Sequence, residues 1–499
     1  MEFFSTRDAS LRVSAAKAIS QGLSFEGGLF APVEIPKLTD AEIDSLCAMT
    51  YPQRAAYVIG KYLTDFSEEE LTNFANAAYH QDKFSSSAIA PVRKLNDTAN
   101  ILELWHGPTS AFKDMALQIL PYLLTASMRK CGETKTACIL VATSGDTGKA
   151  ALEGFADVEG TKIAVFYPKD GVSRVQELQM TTQSGNNVYV SSVIGNFDHV
   201  QSKMKEIFAD EELRAEVAKS NTFFSSANSI NWGRAVPQIA YYVSGYCDLI
   251  NSGEIAKGEQ FNVCVPTGNF GNILAAYYAR EMGIPIAKLI CASNRNNVLA
   301  DFFKTGKYDK QREFYTTTSP AMDILVSSNL ERLLFHLSGN DDATIKKYMA
   351  KLASDGAYTV NAEIFAKLND LFYGGFCDDA DTMETISKTF SEYNYLVDTH
   401  TAVGINVYNQ YVAETGDVKK TLIASTASPF KFADSVLAAL GVDLEIDGCE
   451  LLEILSKTTG VKIPAPLASL AGKEERFVNT LEREQIIDRI MEFVCNSRD

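Results

Sequence analysis

Four stretches between residues 135 and 440 share one order: a short apolar run, a loop rich in Gly, Ser, Thr, Asn or Pro, then helical periodicity. They are TACILVATSGDTGKAALEGFA, TKIAVFYPKDGVSRVQELQ, FNVCVPTGNFGNILAAYYARE and TLIASTASPFKFADSVLAAL. An apolar run with no polar face suits a parallel strand, because crossover helices cover both sides of its sheet. The pattern predicts an α/β chain of doubly wound parallel-sheet lobes, an architecture that binds ligands at the carboxyl ends of its strands. At 499 residues the chain exceeds what one core holds, so two or three lobes are expected. Residues 1–95 read as mainly helical, with a Gly-rich turn at 25–32 and an amphipathic helix within 65–80. Ser67 or Asp65 would cap that helix, and Leu71, Phe74 and Ala78 would line one face. The expected division is an N-terminal domain over 1–95 and a two-lobed region over 96–499, whose small lobe spans roughly 135–235.

The net charge of −17 argues against non-specific binding to nucleic acid or anionic membrane. An anionic ligand would need local cations and backbone dipoles to hold it against that field. None of the nine cysteines falls in a CxxC pair, which reads as reduced and mostly buried thiols, and the five histidines show no metal-ligand spacing. The opening MEFFSTRDASLRVS has neither an apolar signal core nor an acid-poor transit character, and no run reaches membrane-span length. These features read as a cytoplasmic-type protein.

Three loops and one lysine carry chemistry. TGNFGN (267–272) follows a strand-like run and opens a helix, so its glycines admit close approach and its free N–H groups suit a phosphate. A plain strand-to-helix turn is the competing reading. IGNFDHVQ (194–201) shares Gly-Asn-Phe, but Asp198 replaces the second glycine and would repel phosphate, so that copy reads as structural. ATSGDTGKAA (142–151) offers Ser144, Gly145, Asp146, Thr147 and Gly148, groups suited to a substrate carboxylate, against ordinary N-capping by Thr147 or Asp146. STASPFKF (425–432) adds Thr426, a neutral hydroxyl at a strand end. HGPTSAFKDMALQ (106–118) puts Lys113 in the first turn of a predicted helix capped by Thr109 or Ser110, with Pro121 bending the pattern beyond. A helix start and a dry pocket both disfavour an ammonium, so the Lys113 amine should be neutral often enough to form a Schiff base with an aldehyde. A phosphate cradle, a depressed lysine and a hydroxyl for a ring nitrogen together describe a pyridoxal-phosphate site.

With STR (5–7), GLSFEGGLFAP (22–32), LWHGPTSAFKDMALQ (104–118), SSANSINWGR (225–234) and SPAMDILVSSNLERLLF (319–335) added, the chain resembles threonine synthase from end to end, in the longer bacterial and fungal branch. The resemblance implies a fold-type-II pyridoxal-phosphate (PLP) enzyme, like the tryptophan synthase beta chain, with two α/β lobes and an added N-terminal domain. It implies that Lys113 carries the cofactor, that Gly268, Asn269, Phe270, Gly271 and Asn272 hold its phosphate, and that Thr426 faces its pyridine nitrogen. The implied reaction turns O-phospho-L-homoserine and water into L-threonine and phosphate, the last step of threonine biosynthesis, with released phosphate aiding late proton transfers. The substrate would be met by Ser144, Gly145, Asp146 and Thr147 and by Asn228, Ser229, Asn231 and Arg234, of which Arg234 can clamp a phosphate. Lys149 reads as solvated. A monomer fits this branch, with a homodimer the alternative.

Two residues depart from the family pattern: Asp8 stands for glycine after STR, and Thr399 for proline in DTHTAVG (398–404). His400 in the same motif reads as a hydrogen-bonded structural histidine. Two rival functions remain: a threonine-synthase-like phospholyase releasing 2-ketobutyrate, and a non-catalytic binder of phosphorylated amino acids. A nicotinamide oxidoreductase is disfavoured because no GxGxxG follows a predicted strand.

Overall fold

The computed structural model describes residues 1–444 and 446–495, with Asp198 described by its backbone alone. All four predicted strand–loop–helix segments form, and they fall into two separate parallel sheets. In the larger sheet Phe372–Phe376, Ile286–Ser293, Phe261–Pro266, Thr421–Ser425 and Ala99–Glu103 run parallel in that order, and Val92–Lys94 closes one edge antiparallel. In the smaller sheet Val188–Val193, Thr161–Pro168, Thr136–Ala142 and Thr222–Ser225 run parallel. The connections explain the order: Asp146–Phe155 carries the chain from Thr136–Ala142 to its neighbour Thr161–Pro168, and Gly271–Glu281 does the same between Phe261–Pro266 and Ile286–Ser293. Helices on both faces bury every residue of Phe261–Pro266 and Thr421–Ser425, which is why these runs carry no polar alternation.

The small sheet gains a member that local pattern does not reveal. Thr480–Leu481 pairs in parallel with Val188–Val193, and helix Ile486–Cys495 buries Ile486, Ile490 and Val494 against Cys138, Phe166 and Val200. The chain end therefore packs on the small lobe, correcting the assignment of everything beyond 235 to the large one. The N-terminal region carries helices Ala15–Gln21, Asp40–Ala48, Tyr51–Tyr62 and Glu68–Ala78, and also an antiparallel sheet of Asp8–Ser14, Glu2–Ser5 and Phe30–Pro32 that the helical reading omitted. Ser67 caps Glu68–Ala78 in a reciprocal box with Glu70, whereas Asp65 accepts instead from Ala16 N at 2.7 Å. The STR signature is a docking device. Arg7 reaches Glu331 through two N–H···O bonds of 2.9 and 2.8 Å, joined by the Thr6 hydroxyl at 2.6 Å. Asp8 begins the second strand and accepts from Ser10 on the surface. Thr399 is the first residue of helix Thr399–Thr415, the position where proline is also at home, and Asp398 caps it through His400 N and Thr401 N. No helix among the described residues is long and apolar enough to cross a membrane.

Candidate active site

Four loops gather at carboxyl ends of strands: 104–113 after Ala99–Glu103, 143–147 after Thr136–Ala142, 267–272 after Phe261–Pro266 and 426–432 after Thr421–Ser425. The first and last are laced together, since Phe112 N donates to Thr426 O (2.8 Å) and Ser428 N to Ser110 O (3.0 Å). Lys113 is the N-cap residue of a single turn, Asp114–Leu117, after which Leu120–Lys130 restarts with Pro121 in its first turn. The predicted cap does not form. Thr109 spends its hydroxyl and its N–H on the Asp114 carboxylate at 2.8 and 2.9 Å, while Ser110 takes φ 59° and its hydroxyl has no partner. A Cβ at Gly107 would lie 2.5 Å from that same carboxylate, which explains the glycine of the signature. Burial pushes Asp114 up to about 6, against the hydrogen bonds from Thr109.

Lys113 Nζ lies 3.4 Å from Asp146 Oδ2, across the gap between the two sheets. The other Asp146 oxygen meets Lys431 Nζ at 2.7 Å and Gln176 Nε2 at 2.9 Å. Burial lowers the Lys113 amine; Asp146 opposes that, and Lys431 and Arg234 add to it. One helical turn has little macrodipole, so burial and two neighbouring cations replace the helix start as the cause. Burial alone would raise Asp146, yet Lys431 and Lys113 hold it far below the ordinary carboxylate range. A carboxylate held between two lysines is unsuited to meeting a substrate carboxylate, which corrects the expectation for the Asp146 side chain. Neither it nor Thr147 caps the helix. Thr143 does, accepting from Gly145 N and Gly148 N at 3.0 and 2.9 Å. Ser144 and Thr147 stay half-buried at the helix start beside Gly145, whose φ is 128°. Lys149 is buried on Glu153 and Gln183, correcting the solvated reading.

The 267–272 loop has the backbone form that an anion cradle needs. Phe270 takes φ 64°, a costly conformation for a bulky residue, with its ring buried near Phe303 and Phe372. That turn opens helix Gly271–Glu281, whose first N–H groups have no partner within the helix and no side-chain cap. Gly268 sits under Ala321 O, where a Cβ would approach to 2.4 Å; at Gly271 a Cβ would meet nothing nearer than 3.5 Å. Asn329 Nδ2 and Ser327 Oγ hold the carbonyls of Asn269 and Gly268 at 3.0 and 2.8 Å, and Asn269 Nδ2 donates to Ser229 Oγ at 3.2 Å. Asn272 accepts from Tyr241 and Tyr242 through its oxygen, while its buried Nδ2 has no partner. An unpaired buried donor beside free N–H groups fits a phosphate. The 194–201 copy is a helix cap in which Asn196 accepts from His199 N; the Asp198 side chain lies outside the described residues.

Arg234, in the first turn of helix Trp232–Asn251, is 4% exposed, and it donates through Nη1 to Ala227 O while its Nε is unpartnered. Burial lowers its guanidinium to about 10, so it stays charged. Asn231 does not join it. Its oxygen caps the helix at Gly233 N, and its Nδ2 holds Ile19 O of the N-terminal domain at 3.0 Å. Asn228 is exposed and Ser229 half-buried. His400 is structural as expected: Nδ1 donates to Asp398 at 2.9 Å and Nε2 accepts from Ala321 N at 3.2 Å, which fixes the turn packed on Gly268. Sequence reasoning missed Lys431 and Asn329. A lysine flanked by two phenylalanines at a strand end was the available signal for the first.

Comparison with known proteins agrees with this geometry. The description "Threonine synthase N terminus" matches residues 2–79, "Pyridoxal-phosphate dependent enzyme" residues 93–425, and "Threonine synthase, C-terminal" residues 401–491. The chain is 40% identical to threonine synthase-like 1 of Homo sapiens, over 88% of its own length and 61% of that longer protein. It is 36% identical to threonine synthase of Schizosaccharomyces pombe, over 88% and 89% of the two chains. The crystal structure of PLP-bound threonine synthase from Brucella melitensis superposes with a TM-score of 0.88 at 34% identity, covering 99% of each chain. A family signature along nearly the whole chain thus coincides with a part-buried lysine, a glycine loop at a helix start and a two-lobed fold: the chain belongs to the threonine synthase family of pyridoxal-phosphate-dependent enzymes.

Proposed function

We propose that this protein is a threonine synthase, converting O-phospho-L-homoserine and water to L-threonine and phosphate with PLP carried on Lys113. The observation that carries this reading is the pairing of the Lys113 amine, largely buried and lowered in pKa by that burial, with two separate sets of unpaired anion donors. When bound, PLP supplies an electrophilic aldehyde and an electron-withdrawing ring. The N–H groups of 269–272 and Asn272 Nδ2 would hold its phosphate, and the Thr426 hydroxyl would meet the pyridine nitrogen. A hydroxyl there, unlike a carboxylate, does not enforce a protonated ring.

The substrate carboxylate meets the Ser144 and Thr147 hydroxyls and the free N–H groups of the helix start at Asp146. The substrate phosphate meets Arg234 Nε, with Ser229 and Asn228 at the rim; a dianion answers the unpaired guanidinium N–H. Once released, the Lys113 amine takes the proton from the substrate α carbon. Loss of a β proton then expels phosphate from the γ carbon; a proton returns to the γ carbon to make the methyl group, water adds as hydroxyl at the β carbon, and a last proton returns to the α carbon. Asp146, 3.4 Å from the Lys113 amine, would help to aim it.

The greater identity to threonine synthase-like 1 supports a second reading, a phospholyase that releases 2-ketobutyrate. Feeding O-phospho-L-homoserine and separating products decides between them: threonine in excess is expected, and keto acid in excess defeats the synthase reading. No turnover at all would favour a binder of phosphorylated amino acids.

A further inference from the structure

Lys431 is wholly buried, in the turn Pro429–Phe432 at the end of a large-lobe strand, and its Nζ reaches Thr109 O at 3.0 Å and Asp146 Oδ1 at 2.7 Å. A buried ammonium is expensive unless its protons are matched, and an apolar side chain of similar size often serves stability as well. Here the match is specific. One oxygen of a small-lobe carboxylate goes to Lys431 and the other to Lys113, while the Thr109 carbonyl lies in the loop that delivers Lys113. The charged groups facing Lys113 are Asp146, Lys431 and Arg234; Asp114 also feels Lys431.

We propose that Lys431 is a positioning residue for Lys113: it fixes Asp146 so that one carboxylate oxygen aims at the Lys113 amine, and it supplies the standing positive charge that lets Asp146 stay ionised when that amine is neutral. Without Lys431, Lys113 and Asp146 form a one-to-one ion pair, and the pair holds the proton on the amine. Without Asp146, three cations crowd together and the proton leaves sooner. Removing either charge dissolves the same ion pair yet acts with opposite sign, which a merely structural contact does not do.

The inference rests on Lys113 as the cofactor-bearing lysine, but its test does not need cofactor. The acetylation rate of Lys113 in the cofactor-free protein is followed against pH by peptide mass spectrometry, and the midpoint gives the amine's titration. Lys431→Met should raise the midpoint by about one unit, Asp146→Asn should lower it by about one unit, and Lys431→Arg should leave it nearly unchanged. Shifts of one sign in both charge-removing variants, or none in Lys431→Met, overturn the proposal. Should Lys431→Met fail to fold, judged by thermal unfolding, Lys431→Met/Asp146→Asn removes one charge of each sign. Its midpoint should return close to that of the wild type; a value as low as Asp146→Asn alone overturns the proposal. Borohydride trapping of PLP reports separately whether Lys113 is the attachment site.

Discussion

Lys113 and Asp114 are adjacent, the first largely and the second wholly buried, and both are pushed toward neutrality by the same loss of water. For Asp114 the consequence is a stability signature. Its carboxyl titrates near 6 in the native state against an ordinary 3.8, so between those values the folded chain holds a proton that the unfolded chain has released. The group's stabilising contribution is complete below that window and falls by about 3 kcal/mol as pH rises through it. Asparagine has no such proton. The stability advantage of the wild type over Asp114→Asn, measured by urea unfolding, should therefore be larger near pH 4 than at pH 7; an equal difference at both would show that Asp114 is not desolvated. The lysine was legible because HGPTSAFKD concentrates turn residues ahead of it. Its real surroundings were not, because Asp146 and Lys431 come from segments 33 and 318 residues away.

The cradle shows how two glycines of one loop serve different ends. Gly268 is required by the protein itself, because Ala321 O leaves no room for a methyl group, whereas Gly271 has space in front of it. Gly268→Ala should lower the thermal midpoint of the cofactor-free protein and weaken PLP binding together. Gly271→Ala should leave the midpoint in place and weaken PLP binding by about tenfold or more, as a phosphate contact of 1–2 kcal/mol is lost. Equilibrium dialysis and a thermal melt separate these outcomes; a lower midpoint in Gly271→Ala would mean that the loop is structural only. The strands and glycine junctions were readable because each is local, an apolar run of five to eight residues ending in glycine and hydroxyls. The caps were not. Thr143 rather than Thr147 reaches Gly148 N, and the roles of Asn231 and Asn329 depend on partners far along the chain.

The molecule as a whole is tied together by late and early segments that carry no catalytic motif. Arg7 and Thr6 grip Glu331, and the next residue, Arg332, is fully buried and holds Phe30 O and Ile230 O. The N-terminal sheet is thereby joined to the helix that carries Asn329 to the cradle. At the other end, Leu481, Ile486, Ile490 and Val494 are nearly inaccessible against the small sheet, each contributing about 2 kcal/mol of burial. Ending the chain after Asn479 should speed hydrogen exchange through Val188–Val193 while Phe261–Pro266 keeps its protection; equal loss in both would mean that the lobes unfold as one. A two-residue strand at Thr480–Leu481 has too little pattern to be read locally, which is why the small lobe's last layer escaped the sequence.

The central claim is that the Lys113 amine, lowered in pKa by burial and by Lys431 against the pull of Asp146, is the covalent anchor of PLP. Reducing the PLP-loaded protein with borohydride, digesting it and sequencing the peptides by mass spectrometry tests it directly. The pyridoxyl mass is predicted on Lys113 within HGPTSAFKDMALQ; finding it on another lysine, or on none, would contradict the account.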